Sequence, residues 1–188
     1  MGKKLLLAVL LTSMVAMAHG QVVRVSAPAH RGTSTGAGVY VGEIDGRGVT
    51  LTCRHIGVVD VVKDQPVIDI MHDKLGYDLL AVFTKPLDVP AIQIGETPSM
   101  GDMLTITGYP LGEPGRHDGP YSGTSGRSMV IGVASQGGDS GGAVTNDQGE
   151  LVGLLWGTQK TSSKAVPCGA IRAFIGRVRE KVASTGYG

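Results

Sequence analysis

A serine hydroxyl is a weak nucleophile, and chemistry at one requires a base beside it and donors for the charge that develops. Residues 137–142 read Gly-Gly-Asp-Ser-Gly-Gly and place Ser140 between glycine pairs. Glycine permits positive φ and close approach of backbone to a substrate, so such a string suits an exposed hydroxyl ringed by N–H groups turned to one point. An ordinary glycine-rich turn would read the same way if the motif stood alone. Four histidines are candidate bases: His30, His55, His72 and His117. His55 follows the apolar run Val49–Cys53 and so stands at a strand end, a rigid mount. His30 and His117 sit in polar or Gly/Pro-rich stretches that read as solvated loops, and His72 neighbours Asp73 in a charged turn. A carboxylate must then hold the imidazole in one tautomer. Asp78 precedes the apolar run Leu79–Phe83, where a carboxylate is unfavourable unless paired. Asp69 and Asp73 are the alternatives.

Positioning these groups requires a frame of short strands. Strand-like runs are Val39–Val41, Gly48–Cys53, Val58–Val62, Pro66–Met71, Leu79–Phe83, Met103–Gly108, Ser128–Ala134, Gly141–Thr145 and Glu150–Trp156, separated by turn residues. A polar entry segment and Gly32–Gly38 read as loops, as does the Gly/Pro-rich stretch from Tyr109 to Gly126. Ile171, Phe174, Ile175, Val178 and Val182 recur at helical spacing, which predicts one amphipathic helix packed on the strands. Strands at this spacing predict a barrel or sandwich.

The order His55, Asp78, Ser140, in the strings Leu51-Thr52-Cys53-Arg54-His55, Tyr77-Asp78-Leu79-Leu80-Ala81-Val82 and Gly138-Asp139-Ser140-Gly141-Gly142, resembles the trypsin/chymotrypsin-like serine endopeptidases, in their compact bacterial and viral branch. The resemblance runs from about Gly32 to the final helix. It implies an all-β fold of two antiparallel β-barrels, six strands each, with the site in the cleft between them and a C-terminal α-helix. The expected divisions are a 19–98 N-terminal barrel and a 99–169 C-terminal barrel, with the seam near Thr97-Pro98-Ser99, and a helix and tail over 170–188.

The same resemblance implies roles. Ser140 attacks the scissile carbonyl, His55 moves the proton, and Asp78 orients His55. The N–H groups of Gly138 and Ser140 form the oxyanion hole. Leu154-Leu155-Trp156-Gly157 resembles the strand on which an extended peptide adds, as in β-augmentation. Ala134 takes the pocket-floor position, with Ser135, Gln136 and Gly157 on the walls, which implies a small or apolar P1 side chain. Lys160 or Lys164 reaching in would shift that preference toward acids. The chain lacks the Ile-Val-Gly-Gly-like start whose amine the family sets against the aspartate before the nucleophile, here Asp139. Local donors or another side chain would have to serve instead. The family cysteine just after the histidine is also missing; Cys53 and Cys168 fit either a disulfide between them or two buried free thiols.

The remaining readings bound the function. Lys3 and Lys4 followed by the uncharged stretch Leu5–Ala18, ending Ala16-Met17-Ala18, predict a signal peptide over residues 1–18. Its fourteen uncharged residues fall short of the roughly 20 that a spanning helix needs. Export to the periplasm or beyond follows, with no membrane attachment after cleavage. Lys+Arg 17 against Asp+Glu 16 offers no basic surface for nucleic acid. No phosphate loop or spaced Cys/His metal pair is present, so neither a cofactor nor a metal is expected. Two functions remain: a secreted serine endopeptidase acting on polypeptides through an acyl-enzyme, and a catalytically inactive module of the same fold that binds extended peptides.

Overall fold

The structure, a computed structural model, describes residues 20–30 and 32–185. The expected signal peptide at 1–18 lies outside the described residues.

The N-terminal half forms one seven-stranded antiparallel sheet. Its strands are β1 Val22–Ala29, β2 Gly32–Ile44, β3 Arg47–Thr52, β4 Val61–Val62, β5 Gln65–Pro66, β6 Asp69–His72 and β7 Leu80–Thr84, in the order β5-β4-β1-β2-β3-β7-β6. The second half forms a closed barrel from β8 Met103–Gly108, β9 Gly115–Ser125, β10 Ser128–Ile131, β11 Ala143–Thr145, β12 Leu151–Thr158 and β13 Ser163–Pro167. Helix α1, Cys168–Thr185, ends the fold. The two-lobed, strand-built architecture with a terminal helix is the one the resemblance implied. In detail the N-terminal lobe is a curled sheet with free edges at β5 and β6, not a closed ring of six.

Local chemistry explains most joints. Ile44 pairs with Arg47 across Asp45-Gly46, whose φ values of 50° and 71° suit a hairpin turn matched to strand twist. The predicted helical stripe is buried: Ile171, Phe174, Ile175, Val178 and Val182 join the core of the N-terminal sheet together with Leu51, Phe83 and Leu154. A second cluster, built on Leu104, Ile106, Met129, Ile131 and Leu155, fills the barrel.

Three loop readings are corrected. Gly32–Gly38 is part of β2, and Gly36 and Gly38 are there for close packing: a Cβ on Gly38 would lie 2.6 Å from Thr50 Cγ2 and 2.9 Å from Val25 Cγ1. Most of Tyr109–Gly126 is the eleven-residue β9, paired with β8 over Gly115–Pro120 and with β10 beyond it. The entry segment is β1, whose burial alternates around Arg24. Strand β13 was also not predicted from the sequence. Conversely, Val58–Val62 shrinks to the two-residue β4, and Pro66–Met71 splits between β5 and β6.

Candidate active site

The base and its acid come from neighbouring strands. β3 and β7 pair so that Thr52 faces Leu80. Three residues past Thr52, a 3₁₀ turn over Arg54–Ile56 carries His55 and ends at Gly57, with φ 114°. Two residues before Leu80, Asp78 accepts the His55 backbone N–H on Oδ1 at 3.0 Å and the His55 Nδ1–H on Oδ2. The carboxylate thus holds both the backbone and the ring of one residue. Burial pushes the Asp78 carboxyl up, but bonds from the His55 ring and the backbone of His55 and Arg54 outweigh it and leave the group below its ordinary value. The bond to Asp78 raises the His55 imidazole above its ordinary 6.5, against an opposing push from burial.

The alternative carboxylates are engaged elsewhere. The buried Asp73 binds Arg177 of α1 at 2.5 Å and accepts the N–H groups of Leu75 and Tyr77. It therefore shapes the turn that delivers Asp78. Asp69 lies 3.7 Å from Lys181. His30 and His72 are exposed.

Ser140 sits on a tight turn beyond the barrel's β10. Asp139 N–H donates to Gln136 C=O, and Gly142 N–H to Asp139 C=O. Gly141, at φ 83°, could not carry a Cβ: it would lie 2.1 Å from Ala37 O and 2.4 Å from Thr52 Oγ1. This loop meets the His55 segment at a single carbonyl. Leu155 C=O accepts both the Gly141 N–H at 2.7 Å and the Cys53 Sγ–H at 3.1 Å. On the other side, Ala37 N–H donates to Ser140 C=O at 2.8 Å, and a Cβ on Gly36 would strike both Ser140 O, at 3.0 Å, and Ile56 Cδ1, at 2.6 Å. His55 and Ser140 are thus anchored within two residues of shared contacts, though no hydrogen bond joins their side chains among the described residues.

The Gly137–Gly138 peptide is held from the turn that follows β8. Leu111 N–H donates to Gly137 C=O at 3.2 Å. In a trans peptide C=O and N–H point in opposite directions, so this bond turns the Gly138 N–H away from Leu111. Gly138 has φ 101°, and a Cβ there would lie 2.2 Å from Tyr109 O. Neither the Gly138 nor the Ser140 N–H donates to another group among the described residues. Leu111 is 90% exposed and holds φ 55°, an unfavourable backbone for leucine. Its sequence carries no signal of this role.

Asp139 is fully buried. Its Oδ2 accepts the Gln136 N–H at 2.8 Å and His117 Nε2–H at 3.0 Å, while Oδ1 has no partner. The loop reading of His117 is therefore corrected: it projects from β9 with its side chain 17% exposed, and supplies the side-chain partner that Asp139 needed.

The substrate-binding candidates divide. Leu155 is corrected: its side chain is in the barrel core, its C=O is doubly used, and its N–H donates to Gly142 C=O. It has nothing left for a peptide. Trp156 occupies a bulge between β12 and β13, half-exposed, with Nε1–H on Ser128 Oγ at 3.2 Å, and Gly157 follows it. Ala134 is half-buried, Ser135 is buried with its N–H on Thr158 Oγ1, and Gln136 is exposed. Lys164 stands across from Gly157 on β13, and Lys160 is exposed beyond β12. Of the two cysteine arrangements, the structure holds two separate buried thiols, Cys168 Sγ lying 3.8 Å from Thr97 Oγ1.

Comparison with known proteins agrees with this architecture. Two solved structures are similar to the chain over 90% of its length: a serine endoprotease from Yersinia pestis, with a TM-score of 0.76 and 22% identity, and the HtrA-type protease AlgW solved with a tripeptide, with a TM-score of 0.71 and 18% identity. The match covers 66% of the first of those chains and 64% of the second. Among curated proteins nothing matches. The model of the trypsin-like peptidase domain matches residues 36–154, a span that holds His55, Asp78 and Ser140, and the chain belongs to that family of serine proteases.

Proposed function

We propose that the protein is an exported serine endopeptidase that cuts polypeptides through an acyl-enzyme. The observation that carries this reading is the His55–Asp78 pair tied through Cys53 to the same Leu155 carbonyl as a serine loop whose Gly138 and Ser140 N–H groups are both unused. His55 Nε2 takes the Ser140 proton as Oγ bonds to the scissile carbonyl carbon, and returns it to the leaving amine. Asp78 keeps the Nδ1–H tautomer and stabilises the imidazolium. The two N–H groups stabilise the oxyanion, each worth about 3–4 kcal/mol of barrier in comparable sites. The half-buried Ala134 supports a small or apolar P1 residue. Because Asp139 already binds His117, the enzyme works without a new N-terminal amine.

The test is a fluorophosphonate probe with peptide-library cleavage. Labelling of the unaltered protein and none of Ser140→Ala supports the endopeptidase. An unlabelled protein that still binds extended peptides would leave the inactive module.

The pH profile is a separate check. A base must be neutral, and Asp78 favours the charged imidazole, so kcat/KM should rise through an apparent pKa above 6.5. A rate already level at pH 6 would argue against His55 as the base.

A further inference from the structure

Beneath the candidate base lies a group with no part in the proteolytic scheme. Cys53 Sγ, a ring nitrogen of His55 and a carboxylate oxygen of Asp78 all lie within 4.8 Å of one another. They are three different donor types, one of them soft. Zinc binds such donors at about 2.3 Å for sulfur, 2.0–2.1 Å for nitrogen and 2.0–2.2 Å for oxygen, so a tetrahedral ion sets its ligand atoms about 3.4–3.6 Å apart. The three atoms lie within 4.8 Å of one another, so closing on an ion asks for side-chain shifts of roughly 1 Å, and His55 Nδ1 and Asp78 Oδ2, which hydrogen-bond to each other, must part to about 3.4 Å.

Access has a direction. Cys53 is fully buried, but the His55 and Asp78 side chains are 47% and 24% exposed. An ion would approach from the imidazole and carboxylate side, part those two groups and displace the Cys53 bond to Leu155 C=O. Charge also balances: a divalent cation with one thiolate and one carboxylate leaves the site neutral.

We infer that Cys53, His55 and Asp78 form a three-ligand site for Zn²⁺, with water as the fourth ligand, and that an ion there switches off the base. Binding forms the Zn–S, Zn–N and Zn–O bonds and releases the thiol proton to solvent. The proton on Nδ1 moves to Nε2, because the metal takes the Nδ1 lone pair. Nε2 then carries hydrogen and cannot accept the Ser140 proton. The switching rests on the peptidase reading; the binding does not.

Cobalt is the spectroscopic probe. Co²⁺ titrated into the full protein should give one equivalent of a tetrahedral complex with a thiolate-to-metal charge-transfer band in the near ultraviolet, which Zn²⁺ bleaches. Cys53→Ala should lose the band and weaken Zn²⁺ binding by more than about tenfold, since even an outer-shell partner of a ligand is worth about 10–100-fold. Cys168→Ala should keep both. Cys53→Ser, which retains a donor to Leu155 C=O, serves if the alanine variant melts early. In parallel, Zn²⁺ should inhibit peptide cleavage by the unaltered protein reversibly with EDTA, and inhibit Cys53→Ser at least tenfold less well. Absence of the band in the unaltered protein, or its persistence in Cys53→Ala or Cys53→Ser, overturns the site. A band without any cleavage in metal-free buffer keeps the site and rejects the peptidase; cleavage without the band does the reverse.

Discussion

Ser140→Ala should lower kcat by about 10⁶-fold, the scale seen when other serine proteases lose the nucleophile. At room temperature that is about 8 kcal/mol of barrier. The effect is this large because in the proposed scheme the hydroxyl is the atom that forms the acyl bond, and no neighbouring group can substitute. The substitution removes only Oγ. The contacts that hold the loop are backbone bonds, Ser140 C=O to Ala37 N–H and Gly141 N–H to Leu155 C=O, and they persist. Stability should therefore stay within about 1 kcal/mol of the unaltered protein, the net worth of one typical hydrogen bond. Burst kinetics with an active-site titrant and a thermal melt read the two quantities separately. A variant that folds normally and still cleaves at more than a thousandth of the original rate would remove Ser140 from the nucleophile's role.

His117→Ala should destabilise the fold by about 3 kcal/mol, the upper end of what leaving a buried hydrogen-bonding group unsatisfied costs. The upper end applies because Asp139 is not exposed at all and water cannot replace the lost donor without opening the site. Without the imidazole, Asp139 Oδ2 retains only the Gln136 N–H, and Oδ1 already lacks a partner. For a chain of this size that predicts a fall in Tm of about 6–12 °C. The carboxylate is next to Ser140, the proposed nucleophile, and its Oδ2 fixes residue 136, so kcat should fall more than KM rises. His117→Gln, which keeps a donor, should recover most of kcat. A purely structural role would leave the ratio of kcat to KM effects unaltered, and an unchanged melting temperature would mean that Asp139 finds another partner.

How much of the site was readable depends on whether the information is local. Ser140, His55 and Asp78 each sit in a short string whose backbone form follows from its own residues: glycines around a turn, or a polar residue closing an apolar strand. The pairing of β3 with β7 then places His55 against Asp78, and the choice of Asp78 over Asp73 is decided by Arg177, 104 residues away from Asp73 in the chain. The helix stripe was legible because its period is intrinsic. The glycine runs misled. Gly32–Gly38 and much of Tyr109–Gly126 look like loops because glycine and proline usually punctuate strands, yet here they allow strands to pass within van der Waals contact of neighbours. That constraint is set by the partner strand, so residues within the segment cannot reveal it. Leu155 went wrong for a related reason: an apolar residue beside Trp156 suits a groove or a core equally, and barrel closure assigned it to the core.

The sequence alone determined the side chains on offer: a serine between glycines, a histidine at a strand end and an aspartate at the head of an apolar run, each in its own local setting, on a chain of alternating short strands and one helix. The tertiary structure decided which groups meet. It directed His117 to Asp139, set Leu111 behind the Gly138 peptide, and brought Cys53 against His55 and Asp78. These contacts join segments distant in the chain, and their closeness depends on strand register and on how the lobes pack. Periodicity and motif spacing report only what neighbours along the backbone share.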